Sequence, residues 1–243
     1  DFLWHSAGYT QPHTAERVLP TGCTNLVLSI EDCAHIGAVV SGARTESFIL
    51  DTSSRLSLMG VTFKPGGGYP FFGVPAGELR DQSVSLDVLW GRQSHELHER
   101  INAAPNAASR FQLLEHALLA RLNRCEVRSP AVAYAIHAFH ESDKVSSVGA
   151  VVEHTGLNPR RFIATFRDHV GVTPKAFCRI VRFRRVIGSI GSSPCIDWAD
   201  TALKCGYFDQ AHFNHDFRAF AGMSPTEYVR NRTASPNHVR IPD

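Results

Sequence analysis

Gly206-Tyr207-Phe208-Asp209-Gln210-Ala211-His212-Phe213, running on through Phe217-Arg218 to Gly222-Met223-Ser224-Pro225 and Tyr228, is the stretch that decides how this chain folds. Most of it occurs twice. Phe162, Phe166, Arg167, Gly171, Thr173, Pro174 and Phe177 return 51 positions later as Phe213, Phe217, Arg218, Gly222, Ser224, Pro225 and Tyr228. Upstream, Gly156 returns as Gly206 at an offset of 50, so one residue has been added to a turn of the second copy. A repeat of this length marks a duplicated supersecondary unit. Two copies are too few for a solenoid, so the unit is expected to work as a pair.

Each copy reads as helix, tight turn, helix. In the second, Trp198, Ala199, Ala202 and Leu203 share one helical face, and Gly206 ends that helix. Asp209 is placed to cap the next helix, whose Phe213, Phe217 and Phe220 form a buried stripe at spacings of 4 and 3. Gly222 stops it, and Ser224-Pro225 starts another helix with a cap and a proline in the first turn. The first copy follows suit with Val148, Val151, Val152, Gly156, Asn158-Pro159, Phe162, Phe166, Gly171 and Thr173-Pro174. Two short helices across a Gly-containing turn are a helix-turn-helix. A long helix, Pro174–Ile190, joins the units; its 17 residues span about 25 Å, against roughly 34 Å between successive major grooves on one face of DNA.

The stretch from Gly206 to Tyr228 resembles the signature of the AraC-type DNA-binding domain, over roughly residues 130–231. The resemblance implies a transcription regulator, usually an activator, whose two units read consecutive major-groove segments. The segments Leu19-Pro20-Thr21-Gly22 and Gly60-Val61-Thr62-Phe63-Lys64-Pro65-Gly66-Gly67 are similar to an amino-terminal module found ahead of some such domains. With the phenylalanines buried, the outward side of the first reading helix carries Arg160, Arg161, Ile163, Ala164 and, further on, Arg167. That of the second carries Gln210, Ala211, His212, Asn214 and His215. Arg pairs with guanine and Gln or Asn with adenine, which singles out Arg160 and Gln210 for base contacts. Gln210 is common enough in the family motif that part of its role could be structural. Ile163 and Ala164 replace the polar readers usual in the first unit; they suit thymine methyls, or leave this unit gripping backbone through its arginines. Val152 stands where the second copy has Ala202, which predicts a wider helix crossing in the first unit. Both departures point to the second unit as the main sequence reader.

Working outward, the chain of 243 residues has room for two domains. Residues 10–80 read as short strands, among them Leu26–Ile30, Ala38–Ser41, Ser47–Leu50 and Gly60–Phe63. Helices follow at Ser94–Ala104 and Ala107–Asn123. The expected fold is α+β: a β-rich, cupin-like module over 1–125 with following helices, a linker at 126–130, an all-α domain of two helix-turn-helix units over 131–232, and a tail at 233–243. Phe63, Tyr69, Phe71 and Phe72 flank the triple glycine of the module. They read first as core, and second as the lining of an effector pocket.

Charge is +2 overall but uneven: residues 1–125 hold 10 Lys/Arg against 12 Asp/Glu, and residues 126–243 hold 15 against 11. Lys175, Arg179, Arg182 and Arg185 make one stripe of the long helix, either a solvated face or part of a phosphate-facing surface. No apolar run reaches 18 residues, the mean hydropathy of −0.13 is that of a soluble protein, and no secretory pattern opens the chain. The six scattered cysteines read as buried cytosolic thiols. His95-Glu96-Leu97-His98 has the wrong spacing for a helical zinc site, and the strand region holds His13 and His35 without the His-x-His pair of a cupin metal centre. No metal, cofactor or catalytic set is therefore expected, and the chain reads as a non-enzyme. Double-stranded DNA is the expected partner; RNA polymerase, a small-molecule effector and a second copy of the chain are further candidates, and a membrane is not.

Overall fold

The computed structural model describes residues 2–9, 13–30, 37–54, 56–122, 129–141, 147–190 and 196–241. Its strands and helices in chain order begin with β1 (Phe2–Tyr9), β2 (Ala15–Val18), β3 (Thr24–Ser29), β4 (Ala38–Ser41), β5 (Phe48–Asp51) and β6 (Leu56–Phe63). Then come α1 (Tyr69–Phe72), a 3-10 turn at Ala76–Leu79, β7 (Ser83–Ser85), α2 (Leu86–Trp90), α3 (Arg92–Ala103) and α4 (Ala107–Leu122). The remainder is helical until the end: α5 (Pro130–Glu141), α6 (Val148–Thr155), α7 (Pro159–Val170), α8 (Pro174–Ser189), α9 (Trp198–Lys204), α10 (Gln210–Ala221), α11 (Pro225–Asn231) and a last strand, β8 (His238–Arg240). The β-rich region followed by helices is the architecture expected. Strands β1, β2, β7 and β8 went unread in the sequence.

Five strands form an antiparallel sheet in the order β1-β6-β3-β4-β7, and three form a second in the order β5-β2-β8. Alternation decides the faces: in β4, Ala38 and Val40 are buried while their neighbours are not. Leu26, Leu28, Val40, Met59, Val61 and Phe63 from the larger sheet pack with Phe72, Leu86, Trp90, Leu97, Ile101, Leu114 and Leu118 from the helices.

The second core belongs to the paired units and is centred on α8, which buries Phe177, Ile180, Val181, Phe183, Val186 and Ile187. Leu19 and Ala43 from the strand region and Val239 from β8 are part of the same cluster. Of the segment 233–243, expected as a tail, the described residues 233–241 are built into the molecule: β8 pairs with β2, joining Val18 to His238 and Glu16 to Arg240. Its short polar-apolar pattern was too weak to show as a strand without its partner. Glu16, 2% exposed, accepts from His13 Nε2 at 2.8 Å and His238 Nδ1 at 2.7 Å, so a buried carboxylate fastens the chain's end to β2.

Residues 123–128, most of the expected linker, lie outside the described residues, as do His35, Cys33, Cys125 and Cys195. Of the other thiols, burial pushes Cys23 and Cys205 up and Cys178 to about 11, so they stay protonated at neutral pH. No described helix is long and apolar enough to cross a membrane.

Candidate nucleic-acid interface

The caps place the two reading helices as their sequences dictate. The Asn158 side chain accepts from Arg160 N at 2.9 Å to start α7, and Asp209 Oδ1 accepts from His212 N at 2.7 Å to start α10. Both helices end on a left-handed glycine, Gly171 and Gly222. Thr173 caps α8, and Ser224 with Glu227 forms a capping box on α11. Phe162 and Phe166 in α7, and Phe213, Phe217 and Phe220 in α10, are fully or almost fully buried. In the second unit Trp198 stacks on Phe213 at 5.8 Å, and α9 packs more closely on α10 than α6 does on α7. At the equivalent position of the first helix in each unit, Val152 is half-buried and Ala202 fully buried.

With the aromatic stripes inward, Arg160, Arg161, Ile163 and Ala164 lie exposed along the leading part of α7. Gln210, Ala211 and His215 are exposed on α10, and Asn214 is half-buried. His212 turns back toward the protein: its ring meets Tyr207 edge-on at 5.2 Å, and its Nε2 stands 3.9 Å from Asp216 Oδ2. Arg167 is only half free, because a methyl group at Gly77 would stand 3.0 Å from its Cγ. The 3-10 turn of the module is therefore seated against the trailing half of α7, and Tyr69 stacks on His169 at 4.1 Å beside it.

The basic stripe of α8 faces mostly inward. Arg179 donates twice to Asp216 Oδ1, at 2.7 and 3.1 Å, and lies over Phe220; Arg182 reaches Gly206 O and lies over Tyr207. Arg185 donates to Phe139 O and His140 O at the end of α5. Only Lys175 of the four is exposed. Three arginines, each half-buried, thus fasten α8 to its neighbours. Burial, with the Asp216 carboxylate nearby, holds the Tyr207 phenol well above its ordinary value.

In the module, Phe63 and Phe72 are buried, and Phe71 packs on Phe63 with ring centroids 5.0 Å apart. The Trp90 indole N–H donates to Phe71 O at 2.9 Å. These three phenylalanines belong to the module core, and Tyr69 sits at the contact with α7. An open cleft of about 500 Å³ lies elsewhere, between α3 and α4, lined by Arg100, Ala104, Gln112, Leu113 and His116. Among the described residues no group of three His, Cys, Asp or Glu is arranged to hold a metal ion.

Leu203, read with Trp198, Ala199 and Ala202 as one apolar face of α9, is 62% exposed, and Ala199 is exposed as well; only Ala202 of that face is fully buried. Phe208, just before the cap of α10, is 86% exposed and escaped the sequence reading, although the added residue in the second turn was a signal that could have found it.

Residues 151–231 match the family model described as a helix-turn-helix domain. They are an AraC-type helix-turn-helix domain. Residues 1–85 match a family described as a domain of unknown function (DUF6597). The chain is similar to the solved C-terminal domain of AraT, a response regulator from Geobacillus stearothermophilus, at 20% identity and a TM-score of 0.40. That likeness covers 45% of this chain and 92% of the other. It is similar also to ToxT from Vibrio cholerae, at 11% identity and a TM-score of 0.44, over 94% of each chain. No curated protein sequence matches the chain. The AraC-type domain is a DNA-binding one, which is the coarse function expected from the repeat.

Proposed function

We propose that the protein is a sequence-specific transcription regulator, an activator, whose α7 and α10 enter two successive major-groove segments. One observation carries this reading: the leading residues of both helices, Arg160, Arg161, Ile163 and Ala164 in one and Gln210, Ala211 and His215 in the other, are free of the rest of the chain. Helix amino-termini and arginines supply the affinity for phosphates, and the outward side chains choose the sequence. Residues 1–125 form the sensing module, 131–232 the reader and 126–130 the joint between them, in the cytoplasm, with RNA polymerase, a small-molecule effector and a second copy of the chain as partners. The seat of the module on α7 supports control of DNA reading from the module. Tyr69 belongs to that seat, and an effector that shifts the Phe63, Phe71 and Phe72 core would be felt there.

The full chain is offered a random DNA pool, and the bound sequences are recovered and footprinted. Protection of two adjacent major-groove segments is expected, with affinity falling steeply in salt. Arg160→Ala or Gln210→Ala should each cost about 1–3 kcal/mol at the selected site and little on unrelated DNA. A footprint confined to one groove would end the paired reading, and equal losses on all DNA would move the residue concerned to the phosphate backbone.

A further inference from the structure

Aligning the two copies by their caps puts Asp209 opposite Asn158 and Tyr207 opposite Leu157, so the residue added to the second turn is Phe208. Nothing in the fold requires an aromatic ring there. The neighbouring Tyr207, 3% exposed, fills the place under the turn, and Asp209 supplies the cap. Phe208 itself is 86% exposed, the largest exposure among the big apolar side chains described. A lone exposed apolar residue is ordinary. This one has company, because the surroundings of the turn change character between copies. Exposed Glu153 in the first unit becomes exposed Leu203 in the second, and exposed Arg160 becomes exposed Ala211. Beside the turn itself the first unit presents charge and the second apolar surface, whereas further along the reading helices exposed Ile163 and Ala164 of the first stand opposite Asn214 and His215 of the second.

That position has a chemical meaning if α10 reads DNA, on which this inference rests. A recognition helix enters the major groove by its amino-terminal end, so a side chain immediately ahead of its cap stands at the groove's lip. The apolar group displayed in that groove is the C5 methyl of thymine, which phenylalanine and alanine contact without hydrogen bonds. We infer that Phe208, with Ala211 beside it, reads a thymine methyl at the edge of the second unit's site and makes that unit thymine-selective. The first unit has Arg160 and Arg161 at the corresponding turn, and its exposed apolar residues, Ile163 and Ala164, lie further along the helix.

The test uses the full chain and its selected duplex, in which each thymine is replaced in turn by deoxyuridine, removing only the methyl. At one thymine under the second unit the wild-type chain should lose about fourfold in affinity, the effect of one buried methyl-sized group. Phe208→Ala should bind the thymine duplex more weakly by at least as much and show no further loss with deoxyuridine there. Its thermal midpoint should match the wild type, since the ring is exposed. A variant that keeps the full thymine preference, or binds like the wild type, overturns the assignment. So does a variant that binds normally but drives transcription poorly, which would place the ring against a protein partner. A wild-type chain that selects no sequence at all overturns the DNA-reading function together with this inference.

Discussion

The first helix-turn-helix unit and the second share their caps, their buried phenylalanines and their terminal glycines, yet they are held in place differently. The trailing half of α7 lies against the module, with Gly77 under Arg167, Tyr69 on His169, and Ala43 and Ala76 against Gly171. Helix α10 is held from its own domain, through Asp216 to Arg179 of α8 and through Phe217 to Tyr228 of α11. A duplicated unit keeps what makes it fold and diverges at what it touches. Under the proposed function, the first copy would receive a signal from the module, and the second, with Gln210, Ala211 and Phe208 outward, would discriminate sequence.

The comparison is broken most forcefully at the shared core. Phe166→Ala and Phe217→Ala occupy equivalent, fully buried positions, and each should cost about 3–5 kcal/mol in urea unfolding. If one cost less than half the other, the copies would not be equivalent in packing. Next comes the tie that only the second copy has. Arg179→Ala strands the buried Asp216 carboxylate and should cost about 3 kcal/mol, whereas Lys175→Ala on the same stripe should stay within about 0.5 kcal/mol. Equal effects would show that the stripe is all surface.

The smallest test compares the two terminal glycines. Gly171→Ala and Gly222→Ala both put a side chain on left-handed backbone, at a cost of about 1 kcal/mol. At Gly171 the new methyl would also meet Ala43 Cβ at 3.1 Å and Ala76 O at 3.2 Å, and a carbonyl in the chain cannot turn aside. The total there should reach about 2–3 kcal/mol. At Gly222 the neighbour is the end of the Arg17 side chain, which can move. Chemical denaturation of both variants measures the difference, and its sharpness reports how firmly the module is seated on α7.

Much of this was legible in the residues, for definite reasons. Helices with 3.6-residue stripes, Asx and Ser/Thr caps and terminal glycines announce themselves locally, and α3, α4, α7, α8 and α10 lie within two residues of their expected bounds. The outward residues Arg160, Arg161, Gln210 and His215 followed from which phenylalanines had to be inside. His212 was misjudged as simply outward because its contacts, Tyr207 and Asp216, come from the turn and from one helical turn onward. The partners of the basic stripe of α8 were hidden for a related reason: spacing shows that the arginines share a face, but not that Asp216, Gly206 and the end of α5 await them.

Local pattern alone therefore settled the doubling, the caps and the inward phenylalanines, because each depends on neighbours within a few positions along the chain. Contacts between distant segments settled the rest. That β8 closes onto β2 through Glu16, that Leu19 and Ala43 complete the core around α8, and that the module rests on the first reading helix are pairings of residues far apart in sequence, which carry no local signature and exist only once both surfaces have folded.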